Sequence, residues 1–120
     1  MRGAFLIGAN LHGAVLIRAN LSEARLIRTD LHGALLEHAD LWDAMLNEAD
    51  LSFANLSGAN LGLAYLEKAN LSFSWLDRAN LHGSYLKEAK GLRQEQLDTA
   101  IGDRTTKLPD GLHMPDHWKT

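Results

Sequence analysis

Leucine recurs at every fifth position from Leu6 to Leu86, seventeen times in register without a gap. Two residues before each leucine stands a small residue, alanine throughout except at Thr29, Ser74 and Ser84. A period of five suits neither ordinary element. On an α-helix successive leucines would fall ~140° apart and spiral around the surface, and on a flat strand they would alternate between faces. They share one core only if the chain turns a corner about once per unit and coils around an axis.

A second period sets the number of sides. The residue before leucine is Asn or Asp at 10, 20, 30, 40, 50, 60, 70 and 80, while Phe5, Val15, Arg25, Leu35, Met45, Asn55, Tyr65, Trp75 and Tyr85 fall between. Three units per coil would set Asn against bulky residues in the next layer. Four units keep two opposite sides rich in Asn and Asp, so the pattern predicts a square coil of twenty residues.

The runs Ala9-Asn10-Leu11, Ala39-Asp40-Leu41 and Ala69-Asn70-Leu71 resemble the A(D/N)LXX signature of bacterial pentapeptide-repeat proteins, across about residues 4–90. The resemblance implies an all-β fold, a right-handed quadrilateral β-helix of about four coils. The leucine and the small residue would point inward and the other three positions outward. Leu26, Leu31, Leu36, Leu41, Leu46, Leu51, Leu56 and Leu61 are then the expected centre of the core, each contributing on the order of 1.5–3 kcal/mol.

The expected division is a β-helix over residues 1–90 and a cap with an irregular tail over 91–120. The register breaks at Gly91-Leu92, and Leu97, Ala100 and Ile101 are spaced for one face of a short helix that Gly102 would stop. The closing Leu108-Pro109-Asp110-Gly111 and His117-Trp118 elements resemble tails of bacterial pentapeptide-repeat proteins. At the other end the repeat starts at once. Phe5, Ile7, Val15, Ile17 and Ile27 form an apolar rim where charge or serine stands elsewhere, and this predicts a homodimer through the N-terminal coils or a longer array.

Two further outward groupings are candidate binding surfaces. Between Thr29 and Glu67 the chain carries Asp30, Glu37, Asp40, Asp43, Glu48, Asp50 and Glu67 and no Lys or Arg. Such a band suits either solubility or a partner that reads negative charge. Phe53, Phe73 and Trp75 make the best aromatic patch. The succession Arg28, Glu48, Lys68, Glu88 predicts a charge ladder whose exposed pairs contribute about 0–1 kcal/mol each.

No cofactor or metal is expected. His12 with His32, and His113 with His117, each lack the third and fourth ligands a metal needs. With no cysteine, disulfides and thiolate sites are excluded. A formal charge of −3 gives no basic nucleic-acid footprint. No apolar run reaches signal-peptide or membrane-span length, so the default expectation is a cytoplasmic protein with no direct nucleic-acid or membrane partner. A filled convex rod offers no concavity for catalysis. The expected role is a non-enzymatic protein-interaction or structural scaffold for an unidentified protein partner. The alternatives are a DNA mimic that binds a type II topoisomerase such as gyrase, of the quinolone-resistance type that the family resemblance implies, and, remotely, an enzyme with a site in the C-terminal segment.

Overall fold

The computed structural model describes residues 1–119. Parallel bridges join each residue before leucine to its counterpart twenty residues on, from Phe5 with Arg25 to Asn70 with Lys90. The chain is therefore a four-sided coil of twenty residues per turn. The first side holds Leu6, Leu26, Leu46, Leu66 and Leu86. The second starts at Leu11, the third at Leu16 and the fourth at Leu21. Each side contributes a single bridge per coil and no longer strand, because turns use two of every five residues.

Backbone pairing follows one rule at every corner. The leucine carbonyl accepts from the small residue three places on, as in Ala9 N–H to Leu6 at 3.0 Å. The third residue of this turn has positive φ, the type II arrangement. It does so at every fifth residue from Gly3 to Glu88, and only six of these positions are glycine. The twelve others, among them Arg18, His38, Phe53 and Glu88, sit at φ of 56–62°. None is β-branched, which fits the strain such side chains suffer there.

Coils are tied together by three bonds per unit. Leu26 N–H reaches Met45 O at 2.7 Å, Arg28 N–H reaches Asn47 O at 3.0 Å, and Arg25 N–H reaches back to Ala4 O at 2.8 Å. Every repeat leucine in register from Leu21 to Leu86 is at most 1% exposed, including the eight from Leu26 to Leu61, whereas the out-of-register Leu35 and Leu63 face outward and are exposed. Where alanine is replaced, the buried hydroxyl finds a carbonyl. Thr29 donates to Leu6 O, Ser74 to Leu71 O and Ser84 to Leu81 O, at 2.7–3.0 Å. That removes the cost of burying an unpaired hydroxyl.

The C-terminal segment does more than cover the last coil. Helix α1, Gln94–Thr99, replaces the third side and buries Leu97. The ladder then resumes: Ile101 bridges to Asn80 and Lys107 to Tyr85. This corrects the expectation for the helix. It ends at Thr99, Ala100 is extended, and Ile101 is exposed and pairs as a ladder residue. Gly102 does not stop it. The next side chain into the core on that side is Trp118, from a short 3-10 turn at Asp116–Trp118.

Candidate functional site

Apart from the inward hydroxyls of Thr29, Ser74 and Ser84, each bonded to a carbonyl, the polar side chains of the repeat lie on the outer columns, so the candidate site is a surface. The Asn or Asp before leucine has a local task. Its Oδ1 accepts the N–H two residues on, as in Asn10 to His12, Asp30 to His32, Asp40 to Trp42, Asp50 to Ser52 and Asn80 to His82, all at 3.0–3.1 Å. These are Asx turns, in which carboxylate and amide oxygens serve alike. On the fourth side Asn60 Nδ2 also donates to Asp40 and Asn80 Nδ2 to Asn60, at 3.4 and 3.1 Å.

The acidic residues encircle the rod. Asp30 and Asp50 share the second side and bridge to each other. Asp40 and Asp43 are on the fourth side, Glu37 on the third, and Glu48 and Glu67 on the first. Several are engaged within the fold: Arg28 lies 3.8 Å from Glu48, and Asn47 Nδ2 donates to Glu67 at 3.1 Å. Glu37 Oε1 is enclosed without a protein hydrogen-bond partner among the described residues. In the ladder of alternating charge, Arg28 with Glu48 is the contact that closes to ion-pair distance.

Rings form two columns. On the second side His12 stacks on His32 at 4.9 Å, His32 meets Phe53 edge-on at 5.5 Å, and Phe53 stacks on Phe73 at 5.0 Å. Trp75 is half exposed on the third side, over Asn55. On the first side Arg25 lies over the Phe5 ring, Tyr65 stacks on Tyr85 at 4.9 Å, and Lys107 covers Tyr85. The first-side column ties the C-terminal segment to the rod. Nothing in the sequence spacing placed His32 against Phe53, because the two occupy different positions within their units.

One cluster has the composition of a catalytic triad. His32 Nδ1 lies 2.7 Å from Ser52 Oγ, and that hydroxyl donates to Asp50. Since the serine proton points at Asp50, His32 must present N–H to the serine oxygen. In that arrangement the imidazole holds the hydroxyl in place and does not act as its base. His12 Nδ1 lies 3.8 Å from Asp30. At the tail, His117 Nε2 is 3.0 Å from Ala100 O. Among the described residues no three His, Cys, Asp or Glu side chains converge as metal ligands.

The Asp103 carboxyl is held below its ordinary 3.8, chiefly by the Thr105 hydroxyl; desolvation opposes this as the next largest influence, and the Thr105 N–H, His82 and Lys107 add to the lowering. The Asp103 to Thr105 pair repeats the Asx turn of the coil in the tail.

The sequence matches the family described as Pentapeptide repeats in eight copies, over residues 1–33, 24–62 and 64–90. The chain belongs to the pentapeptide-repeat family. Among solved structures, a pentapeptide repeat protein from the Arabidopsis thaliana thylakoid lumen is 32% identical, with a TM-score of 0.65 over 84% of this chain and 79% of that one. Rfr23, a pentapeptide repeat protein from the cyanobacterium Cyanothece 51142, is 43% identical with a TM-score of 0.71, over 78% of this chain and 63% of its own length. QnrB1, a plasmid-mediated fluoroquinolone resistance protein, is 19% identical over 89% of this chain and 62% of its own, with a TM-score of 0.40. Among curated proteins no match was found. The pentapeptide-repeat neighbours imply the right-handed quadrilateral β-helix, and pentapeptide-repeat proteins are generally non-enzymatic structural or interaction proteins. No described helix is long and apolar enough to cross a membrane.

Proposed function

We propose that this pentapeptide-repeat protein is a non-enzymatic scaffold that binds a protein partner through its second side and the adjoining corner. The observation that carries this reading is the column of His12, His32, Phe53 and Phe73. The inward positions are filled by leucine and by alanine, Thr29, Ser74 and Ser84, so recognition is confined to outward columns. This column presents stacked rings in a line, with Phe53 47% and Phe73 64% exposed. Rings held in place by stacking lose little entropy on binding, which is why aromatic anchors dominate interface energies. Trp75 flanks the column as a separate contact.

The test compares capture of partners by the wild type, by a Phe53→Ser/Phe73→Ser variant, and by a variant with Asp30, Asp40, Asp43 and Asp50 changed to Asn. The Asn variant keeps every Asx turn and removes only charge. Loss with the serine pair and retention with the Asn set supports the ring column. The reverse result assigns recognition to the acidic residues, and retention by both variants overturns the reading.

A duplex mimic aimed at a type II topoisomerase would need carboxylates aligned along the rod. Here they are spread over four sides, which speaks against it. Supercoiling by gyrase, with and without quinolone, should be unchanged by micromolar protein.

A further inference from the structure

The first-side column of rings and cations is interrupted once. It runs Phe5, Arg25, Met45, Tyr65, Tyr85 and Lys107, one member per coil. Arg25 Cζ stands 4.8 Å over the Phe5 ring, the Tyr65 and Tyr85 rings are parallel at 4.9 Å, and Lys107 Nζ lies 5.3 Å from the Tyr85 centroid. At Met45 a narrow, unbranched thioether takes the place of a flat group. A recess of about 370 Å³ opens there, between Arg25 and Tyr65, and Glu23 and Asp43 bound it at the corner with the fourth side. These five residues come from the second, third and fourth coils, each with a neighbour above and below, so the recess owes nothing to either end of the rod.

The charges around it are unequally engaged. Glu23 is held by Arg2, whose Nε donates to its carboxylate at 2.7 Å. Arg25 is turned onto Phe5. The Asp43 carboxylate has neither a hydrogen-bond nor an ion-pair partner among the described residues, although the residue is half-buried and fixed at a corner with φ of 58°. One face of Tyr65 is taken by Tyr85, and the other looks into the recess.

We propose that this recess binds a guanidinium group, carried by an arginine side chain of a partner protein. The face of a phenol ring is electron-rich and attracts a cation, and the same column already sets Arg25 over Phe5 and Lys107 over Tyr85. A guanidinium lies flat on such a face and still points N–H groups sideways at a carboxylate, here Asp43. An ammonium does this less well, because it is a compact charge that keeps its water more strongly. The thioether of Met45 gives the methylenes of the arginine an apolar base. An anionic ligand would instead meet Asp43, Glu23 and the ring face, all of which repel it. The site is separate from the ring column of the second side and does not depend on it.

The experiment is an NMR titration of the 120-residue chain at low salt, following the Met45 methyl and Tyr65 ring resonances. The titrant is N-acetyl-arginine amide to about 50 mM, since one small group in an open recess binds in the millimolar range. N-acetyl-lysine amide and N-acetyl-norleucine amide are titrated in parallel. Three variants accompany it: Asp43→Asn, Tyr65→Leu and, as a control on the other surface, Phe53→Ser/Phe73→Ser. Asparagine tolerates positive φ, so Asp43→Asn keeps the corner and removes only the charge.

The expected result is a saturable shift of both resonances with the arginine compound, weakened ~3-fold or more by Asp43→Asn and by Tyr65→Leu and unchanged by the phenylalanine pair. The lysine compound should bind more weakly and the norleucine compound not at all. Thermal unfolding checks each variant, and if loss of the tyrosine stack unfolds Tyr65→Leu, Asp43→Asn alone decides. No saturable shift, equal binding of lysine or norleucine, or arginine binding indifferent to Asp43→Asn would each overturn the proposal. None of these results bears on the ring column, whose own test uses the phenylalanine pair.

Discussion

Gly102 and Trp118 together fill one leucine position of the core. Gly102 follows the bridging residue Ile101, the place that leucine holds in every repeat unit. The Trp118 ring lies 2.7 Å from where a Cβ on Gly102 would stand, and its Nε1 donates to Ala100 O at 2.9 Å. A side chain sixteen residues later thus completes the layer that the repeat no longer supplies. Gly102→Ala should displace the ring and cost about 1–3 kcal/mol, as overpacked cores do. Urea unfolding followed by tryptophan fluorescence measures it, and an unchanged midpoint would show that the ring can move aside freely.

Leu46 is fully buried in the middle of the stack, while Leu6 is only partly covered. Leu46→Ala should cost about 2–5 kcal/mol by opening a cavity between layers. Leu6→Ala should cost clearly less, since its layer is half open. Equal losses in denaturant titrations would contradict the gradient of burial along the rod.

Asp50 accepts from the Ser52 N–H and bridges to Asp30. Asp50→Asn keeps the acceptor and relieves the repulsion, so stability should hold or rise slightly. Asp50→Ala leaves the turn N–H without its partner and should cost about 0.5–1.5 kcal/mol. Melting curves at low and high salt separate the two effects, because only the repulsion is screened.

Gly13 and Gly58 both have positive φ, but only Gly58 lies under another side chain, with His38 ring atoms 2.5 Å from its would-be Cβ. Gly13→Ala should cost about 1–2 kcal/mol for the left-handed backbone alone. Gly58→Ala should cost more, because the ring must also move. Thermal shifts of similar size would refute the contact.

The carboxyl of Asp103 titrates below 3.8 in the folded chain because its charged form accepts from Thr105. A depressed folded value stabilises above the unfolded pKa, and that contribution is lost as pH falls through the folded one. The gain is small, since the group is 40% exposed and solvent-screened. Protection of the Thr105 and Thr106 amides, taken relative to their intrinsic exchange rates, should therefore fall below about pH 4, an onset set by the ordinary carboxylate range. In Asp103→Ala that protection should show no such fall.

The coil was legible because its rule is local and repeated. Leu6 to Leu86 demand an axis, and Asn10 to Asn80 against Phe5 to Tyr85 demand four sides. The outward placement of Phe53 and Phe73, one above the other, follows from the same count of twenty. Less legible was His32 against Phe53, which joins unlike positions of two units and depends on rotamers. Of the twelve positive-φ residues that are not glycine, all but Asp43 were also hidden, since Arg, Glu, His, Phe, Leu and Lys carry no turn signal.

Spacing alone determined the architecture of residues 1–90, because every unit meets copies of itself and the same geometry must satisfy all of them. Beyond Lys90 that self-consistency ends. Ile101 reads as a helical core residue yet becomes a rung of the ladder, and Gly102 reads as a stop yet makes room for Trp118. Only the tertiary structure decided these, since each depends on what a non-repeating segment meets in the last coil.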